Sequence, residues 1–356
     1  ADSEGQNFLA DFITITPIDG DWTGSENDRV NIQNRIAAAP EDATATPLNI
    51  LLTNDDGFDS PGIESLYNAL TAAGHTVTLV GPFEQQSGTG TSLDVDKILQ
   101  PLDIVNTEGD KWYVDAGVRT TTWAGLDFIL DGETPDLVIS GINEGENIGP
   151  GGAVSSGTVS AAVTALLRDV PAIAISGGIS FTDETAVQAA YEAGSEFITT
   201  LIAQLQATQG SDATLLPPGL GLSINVPVRF PEGVEEIQGV KFTDASDLTP
   251  FVIDFGPVNE NGDVGLRFAP ASLPEGDIDP ISEGGQFLSG FITVTPIDGN
   301  WTAPSLEAET IDAQLSAPDP VLAGDSDDPA IWVHPTNPEQ SVVFATLKDG
   351  GLVSFD

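Results

Sequence analysis

Between Leu48 and Val226 short apolar runs alternate with helical segments, and few folds accept that alternation. The runs Leu48–Thr53, His75–Val80, Leu137–Ser140, Ala172–Ser176 and Gly221–Val226 are too short for helices and read as buried strands. Ser60–Ala73, Ser156–Arg168 and Asp183–Ala207 read as helices between them. Ser60 followed by Pro61 is a good helix start, and Gly74 a stop. Such alternation implies a parallel sheet covered by helices on both faces. From Glu232 to about Thr302 clear helices are lacking, so β structure is expected to be appended to that core.

The first strand runs into Asn54-Asp55-Asp56-Gly57. Two adjacent carboxylates at the tip of a buried strand are costly unless something cationic sits there. In open α/β sheets that edge is where ligands bind, and hard divalent cations take oxygen ligands. Three more loops fall at the same predicted edge. Pro82–Ser92 is rich in glycine and hydroxyls, which suits contacts to a phosphate. Ser140–Asn147 offers Asn143 and Asn147. Gly149–Val159 leads into a helix that Ser155 or Ser156 would cap, and the free N–H groups there form an anion site. Singly, each loop reads as a turn, a plain loop or a structural helix cap. Jointly they suit a divalent cation facing a phosphate, with hydrolysis that needs no histidine base. The lack of histidine in these loops argues against zinc.

The charge balance is extreme: 55 Asp and Glu against 10 Lys and Arg, a net charge of −45. Such a surface repels nucleic-acid polymers and anionic membranes. It suits a secreted protein in a marine or high-salt medium. There is no cysteine, hence no disulfide or thiolate chemistry. There is no methionine, so a processed or partial chain is expected. No apolar run in these residues reaches transmembrane length, and they carry no signal-peptide pattern, as expected of a chain whose signal is removed upstream.

An internal repeat sets the organisation. Ser3–Thr23 (SEGQNFLADFITITPIDGDWT) and Ser282–Thr302 (SEGGQFLSGFITVTPIDGNWT) share 15 of 21 positions at an offset of 279 residues. Each copy alternates β-branched residues before Pro-Ile-Asp-Gly, a strand entering a turn. A domain-sized period implies a tandem array, so residues 1–24 are expected to be the tail strand of a preceding unit. Residues 25–47 read as a linker with a short helix near Val30–Ala38, and 303–320 as another linker. His75, Trp22 and Trp301 read as packing residues.

The run LLTNDDGFDSPGI, then QSG in the second loop, then PDLVISGIN, SSGTVSAAV and PAIAIS closely resembles the SurE (survival protein E) family. The resemblance spans residues 48–302. It implies an α/β fold, a Rossmann-like three-layer αβα core with an appended β-rich C-terminal extension. It also implies a metal-dependent 5′/3′-nucleotidase acting on nucleoside monophosphates or other phosphomonoesters. Carried over, Asp55, Asp56, Ser87 and Asn143 would hold a divalent ion, magnesium or manganese, with calcium as a further option. Asp55, Asp56 and Asn147 would be catalytic. Asn54, Gly88, Asn147, Ser156, Gly157 and Thr158 would bind phosphate. The chain departs from the family pattern at Gly117-Val-Arg-Thr-Thr-Thr-Trp123 and at Pro150-Gly-Gly-Ala153.

Residues 321–356, with GDSDDPAIWVHP and KDGGLVSFD, resemble the opening of a β-propeller phytase, and Asp325, Asp327 and Asp328 read there as a solvated acidic turn. The SurE resemblance implies tail strands that exchange between subunits, so a homo-oligomer is expected. The alternative to an enzyme is a structural unit of a filament or array, in which Phe12–Pro17 pairs with a neighbouring sheet.

Overall fold

The computed structural model describes residues 22–180, 183–210, 214–228, 236–246, 248–249, 251–259, 261–270 and 279–300, together with three C-terminal strands. They fall into two compact units, Asp19–Trp301 and a C-terminal one. The tail strand Phe12–Pro17, Trp301, the linker 303–320, Asp325 and His334 lie outside the described residues.

The large unit opens with a helix, α1 (Glu26–Ala38), closed by a reciprocal cap between Ser25 and Asp28. Then come β1 (Asn49–Thr53), α2 (Pro61–Ala72), β2 (Thr76–Pro82), β3 (Ile104–Glu108), β4 (Lys111–Val114) and α3 (Val118–Ala124). Next are β5 (Leu137–Glu144), α4 (Gly149–Ser155), α5 (Gly157–Leu166), β6 (Ala172–Gly177), α6 (Glu184–Ala207) and β7 (Gly221–Val226). The extension holds β8 (Val240–Phe242), β9 (Phe251–Pro257), β10 (Val264–Pro270), α7 (Glu283–Leu288) and β11 (Ile292–Ile297).

Nine of these strands form one sheet in the order β3-β4-β2-β1-β5-β6-β7-β11-β8. From β4 to β7 every neighbouring pair is parallel, while β3 and β11 run antiparallel to β4 and β7. The chain leaves β1 towards β2 on one side and later returns to place β5 on the other. The β1–β5 boundary is therefore the topological switch point, where the crevice of such a sheet opens.

Alternation along β1 builds both cores. Ile50 and Leu52 face α2 and α6, whose Ile63, Leu66, Ile198 and Leu201 are buried with them. Leu51 points to the opposite face, where Val159, Val163 and Leu166 of α5 pack. Gly125 has Leu51 methyls within 3.0 Å of where a Cβ would stand, so that face tolerates little added bulk.

Three sequence expectations need correction. The stretch 25–47 contains more than a tether, because α1 buries Ile32 completely in the first core and Arg29 pairs with Asp244 at 2.6 Å. The extension is not free of helix: α7 forms where Ser282 caps the N–H of Gly285. Gly149–Ser155, expected as loop, is helical despite two internal glycines, and Gly117–Trp123 contributes most of α3. Trp22 is buried, and Thr23 bridges Ile297 of β11, so the end of the first repeat copy lies beside the second. His75 is buried and accepts the Leu48 N–H through Nδ1, a structural role. Among the described residues no helix is long and apolar enough to cross a membrane.

In the C-terminal unit β12 (Ser326–Trp332), β13 (Val342–Leu347) and β14 (Leu352–Phe355) form an antiparallel sheet. Asp327 and Asp328 belong to β12 rather than to a turn, because Asp327 is in register with Thr346.

Ile32→Ala tests whether α1 belongs to the core. Loss of a fully buried isoleucine costs about 2–5 kcal/mol. Denaturant unfolding should lose stability in that range, whereas a linker residue would leave the midpoint unchanged.

Candidate active site

β1 delivers Asp55 and Asp56 to the switch point. Asn54 is completely buried, and its side-chain amide donates to the Gly57 carbonyl and the Ser60 hydroxyl, both at 2.8 Å. It braces the turn from beneath. Gly57 has φ +114, a conformation that side chains disfavour, and it lets the chain reverse immediately after the two carboxylates.

Asp55 is 2% exposed and sits against the start of α5. The Thr158 hydroxyl donates to its Oδ1 at 2.7 Å, and the backbone N–H groups of Gly157 and Thr158 also bond to it. A Cβ on residue 157 would stand 2.6 Å from Asp55 Oδ2, so only glycine admits the carboxylate. Ser156 caps the same helix through the Val159 N–H at 3.0 Å, while Ser155 bonds back to Gly151 and Gly152. Ser156, Gly157 and Thr158, expected to cradle a phosphate, here form the seat of Asp55. An anionic side chain uses the helix N-terminus in the way a bound anion would.

Asp56 accepts the Glu144 N–H at 2.9 Å across the switch point. Burial raises the Asp55 pKa against the hydrogen bonds from α5 that lower it. Burial, then the neighbouring Asp55 charge, pushes Asp56 up to about 7. Among the described residues neither carboxylate has an ion-pair partner. Two crowded carboxylates without a protein cation fit a hard divalent ion.

The second loop reaches the pair by its backbone. The Gln86 N–H donates to the Asp55 carbonyl at 2.7 Å, and the Gly90 N–H to the Ser155 carbonyl at 3.1 Å. Ser87 and Gly88, both exposed, lie between these anchors, and Gly88 has φ +78. Arg119 of α3 donates to the Thr91 carbonyl and stacks over Trp123, tying the departure at 117–123 to this loop. Asn143 is buried, and its amide group donates to the Gly145 carbonyl at 2.6 Å, which leaves its side-chain oxygen as the available ligand. Among the described residues no group of three His, Cys, Asp or Glu is arranged to hold a metal ion, so an ion at the Asp55–Asp56 pair would need further oxygen donors of other kinds.

Asn147 enters the same network. Its side-chain amide donates to Ser176 Oγ at 2.8 Å and approaches Thr158 Oγ1 at 3.5 Å. Its backbone N–H donates to Asn225 Oδ1 at 2.8 Å. Asn225 stands one residue before the end of β7; the sequence reads it only as part of a strand, although its place near the C-terminal sheet edge is a usable signal. Tyr191, in the middle of α6, was also missed. Burial, then Glu144 and Asp56, raises its pKa, which places the phenol within electrostatic reach of the site. Nothing in the sequence around it marks it out.

A family model described as survival protein SurE matches residues 50–249 of this chain. The chain belongs to the SurE family. It is 33% identical over 251 residues to the 5′-nucleotidase SurE 1 of Burkholderia lata, covering 70% of this chain and 89% of that protein. It is 35% identical over 258 residues to the 5′-nucleotidase SurE of Gloeobacter violaceus, covering 70% and 89%. The crystal structure of the SurE protein from Aquifex aeolicus superposes with a TM-score of 0.58 at 27% identity, covering 73% of this chain and 97% of that one. The expected SurE-like αβα architecture is thus the one found. A second model, described as phytase, matches residues 302–356.

Two outcomes test this SurE site. Gly157→Ala should displace Asp55 while leaving the fold intact, and a shift of about 1 Å at a reacting group costs about 100-fold in rate. Wild-type turnover by that variant would show that the Asp55 seat is not needed. The raised Asp56 pKa sets the sign of a pH effect. The folded chain keeps a proton that the unfolded chain releases, so the stability Asp56 contributes is present below its ordinary value of 3.8 and lost as pH rises through about 7. In chelator, the melting temperature should fall across that window, and less steeply in Asp56→Asn; parallel curves would refute the shift.

Proposed function

We propose that this SurE chain is a metal-dependent phosphomonoester hydrolase whose substrates are nucleoside 5′- or 3′-monophosphates. The observation that carries the reading is the pair of buried Asp55 and half-buried Asp56 at the switch point, without an ion-pair partner among the described residues. The names of the relatives support the nucleotide substrate.

Asp55, Asp56, Ser87 and Asn143 would hold the ion, with magnesium or manganese the best match to an all-oxygen set. When bound, such an ion supplies positive charge against the phosphoryl oxygens and acidity to water. The chain's own groups do the rest. Thr158 and the start of α5 fix the orientation of Asp55. The Glu144 N–H fixes Asp56. Ser176 and Asn225 hold Asn147 where it can contact a phosphate, and the exposed Ser87-Gly88 turn offers a hydroxyl and an unobstructed backbone. The net charge of −45 fits a secreted protein of a salty medium, where counter-ions screen its surface.

The test is a panel of nucleoside monophosphates assayed with added magnesium or manganese, wild type against Asp56→Asn. Activity should depend on the metal and fall by at least about 100-fold in the variant, the scale of losing a principal electrostatic group. Full activity in Asp56→Asn, or none in the wild type on any monophosphate, would overturn the reading.

A further inference from the structure

Glu283 is the first residue of α7 and is 2% exposed. It has no ion-pair partner among the described residues. Three donors converge on its carboxylate. Oε2 accepts the Gly149 N–H at 2.8 Å, and Oε1 accepts Asn225 Nδ2 at 3.2 Å and the Thr295 hydroxyl at 2.9 Å. Burial pushes its pKa up to about 7, against these three bonds. A carboxylate without a counter-ion is an expensive way to fill a core position. Packing alone would be served better by an apolar side chain.

Two of the three donors lead to the active site. Asn225 receives the Asn147 N–H through its other amide atom, and Gly149 lies two residues beyond Asn147. Asn147 in turn holds Ser176 and approaches Thr158, whose hydroxyl bonds Asp55. A continuous polar path therefore joins the carboxylate on the extension to the carboxylate at the switch point. Gly149 has φ +71, and a Cβ there would stand 2.3 Å from the Ser246 carbonyl, so the loop has little freedom to find another arrangement. The pairing of Glu283 with Thr295 also recurs in the sequence. The first repeat copy carries Glu4 and Thr16 at the same separation of 12 residues.

We propose that Glu283 is a positioning residue of the active site: its carboxylate clamps the Asn147–Gly149 loop through Asn225 and the Gly149 N–H. The extension thereby completes the phosphate-binding side of the core. This inference rests on the phosphohydrolase reading above, and its test separates the two.

Glu283→Gln keeps size and shape but replaces an acceptor by an amide donor, so one of the converging donors meets another donor. In the full chain with manganese, KM for a nucleoside monophosphate and Ki for inorganic phosphate should both rise about tenfold, with kcat within about twofold, the mark of lost uniform binding. Amide hydrogen exchange across 146–149 should speed up in the same variant. Thr295→Val removes the donor that does not touch the loop, so it should lower the melting temperature and leave KM unchanged. A wild-type KM with unaltered exchange in Glu283→Gln overturns the clamp, as does an equal KM rise in Thr295→Val. If Glu283→Gln does not fold, Asn225→Ala cuts the same relay at its other end and must raise KM and Ki alike. If the wild type turns over no monophosphate, the functional reading fails, and the exchange comparison alone decides the clamp.

Discussion

The burial of the Asp55 carboxylate against the start of α5 is the interaction on which the site depends. It needs a strand that ends at the switch point, a residue without a side chain at 157, and a hydroxyl at 158. Each condition comes from a different part of the chain. β1 sets the height of the carboxylate, and α5 supplies the donors that offset its desolvation. The offset is incomplete, because burial still outweighs the hydrogen bonds and Asp56 follows immediately in sequence. A site that is under-compensated by its own protein suits a bound cation, which is the basis of the proposed metal dependence.

The distribution of positive charge sharpens that point. The chain has only 10 lysines and arginines. Arg29, Lys111, Arg168 and Arg267 are engaged with Asp244, Glu64, Asp127 and Asp254, and Arg119 is stacked on Trp123. These pairings brace the periphery: α1 to the extension, α2 to β4, and α3 to the loop bearing Ser87. These cations hold elements in place, and among the described residues none pairs with Asp55 or Asp56. A surface of net charge −45 around such a crevice raises the local concentration of cations and opposes a phosphate. On the proposed reading, a phosphate would therefore meet neutral groups, above all the exposed Ser87-Gly88 turn, rather than a cationic side chain.

What the sequence made legible follows from what local pattern can encode. The strands β1, β2, β5, β6 and β7 were readable because they are short apolar runs between turn signals, and α2 and α5 because Ser60-Pro61 and Ser156 are cap chemistry. Asp55 and Asp56 stood out because carboxylates are costly at the end of such a run. The edge strands β3 and β4 were not read, since their residues are mostly part-exposed and carry little periodic signal. α1 was read only as a short helix inside a linker, because its apolar residues Val30, Ile32 and Ile36 are few among Asn, Asp, Gln and Arg. The helix at Gly149–Ser155 was masked by Pro150, Gly151 and Gly152, which locally favour a turn. The seat of Asp55 was not legible for a different reason. A helix N-terminus attracts any anion, and sequence alone does not reveal that the chain supplies its own.

The same limit explains why Glu283 was invisible. A glutamate after a serine reads as the start of a capped, solvated turn, and only the antiparallel docking of β11 on β7 carries it inward to Asn225. Docking of the extension and shape of the site are thus one event. β11 must be seated before Thr295 can meet Glu283, and Glu283 must be in place before Gly149 and Asn225 have their acceptor. The repeat gains a physical meaning from this order. The tail segment delivers the glutamate that holds this loop, with the threonine steadying the glutamate rather than the loop, so a core without its tail would keep its carboxylate pair but lose the hold on Asn147.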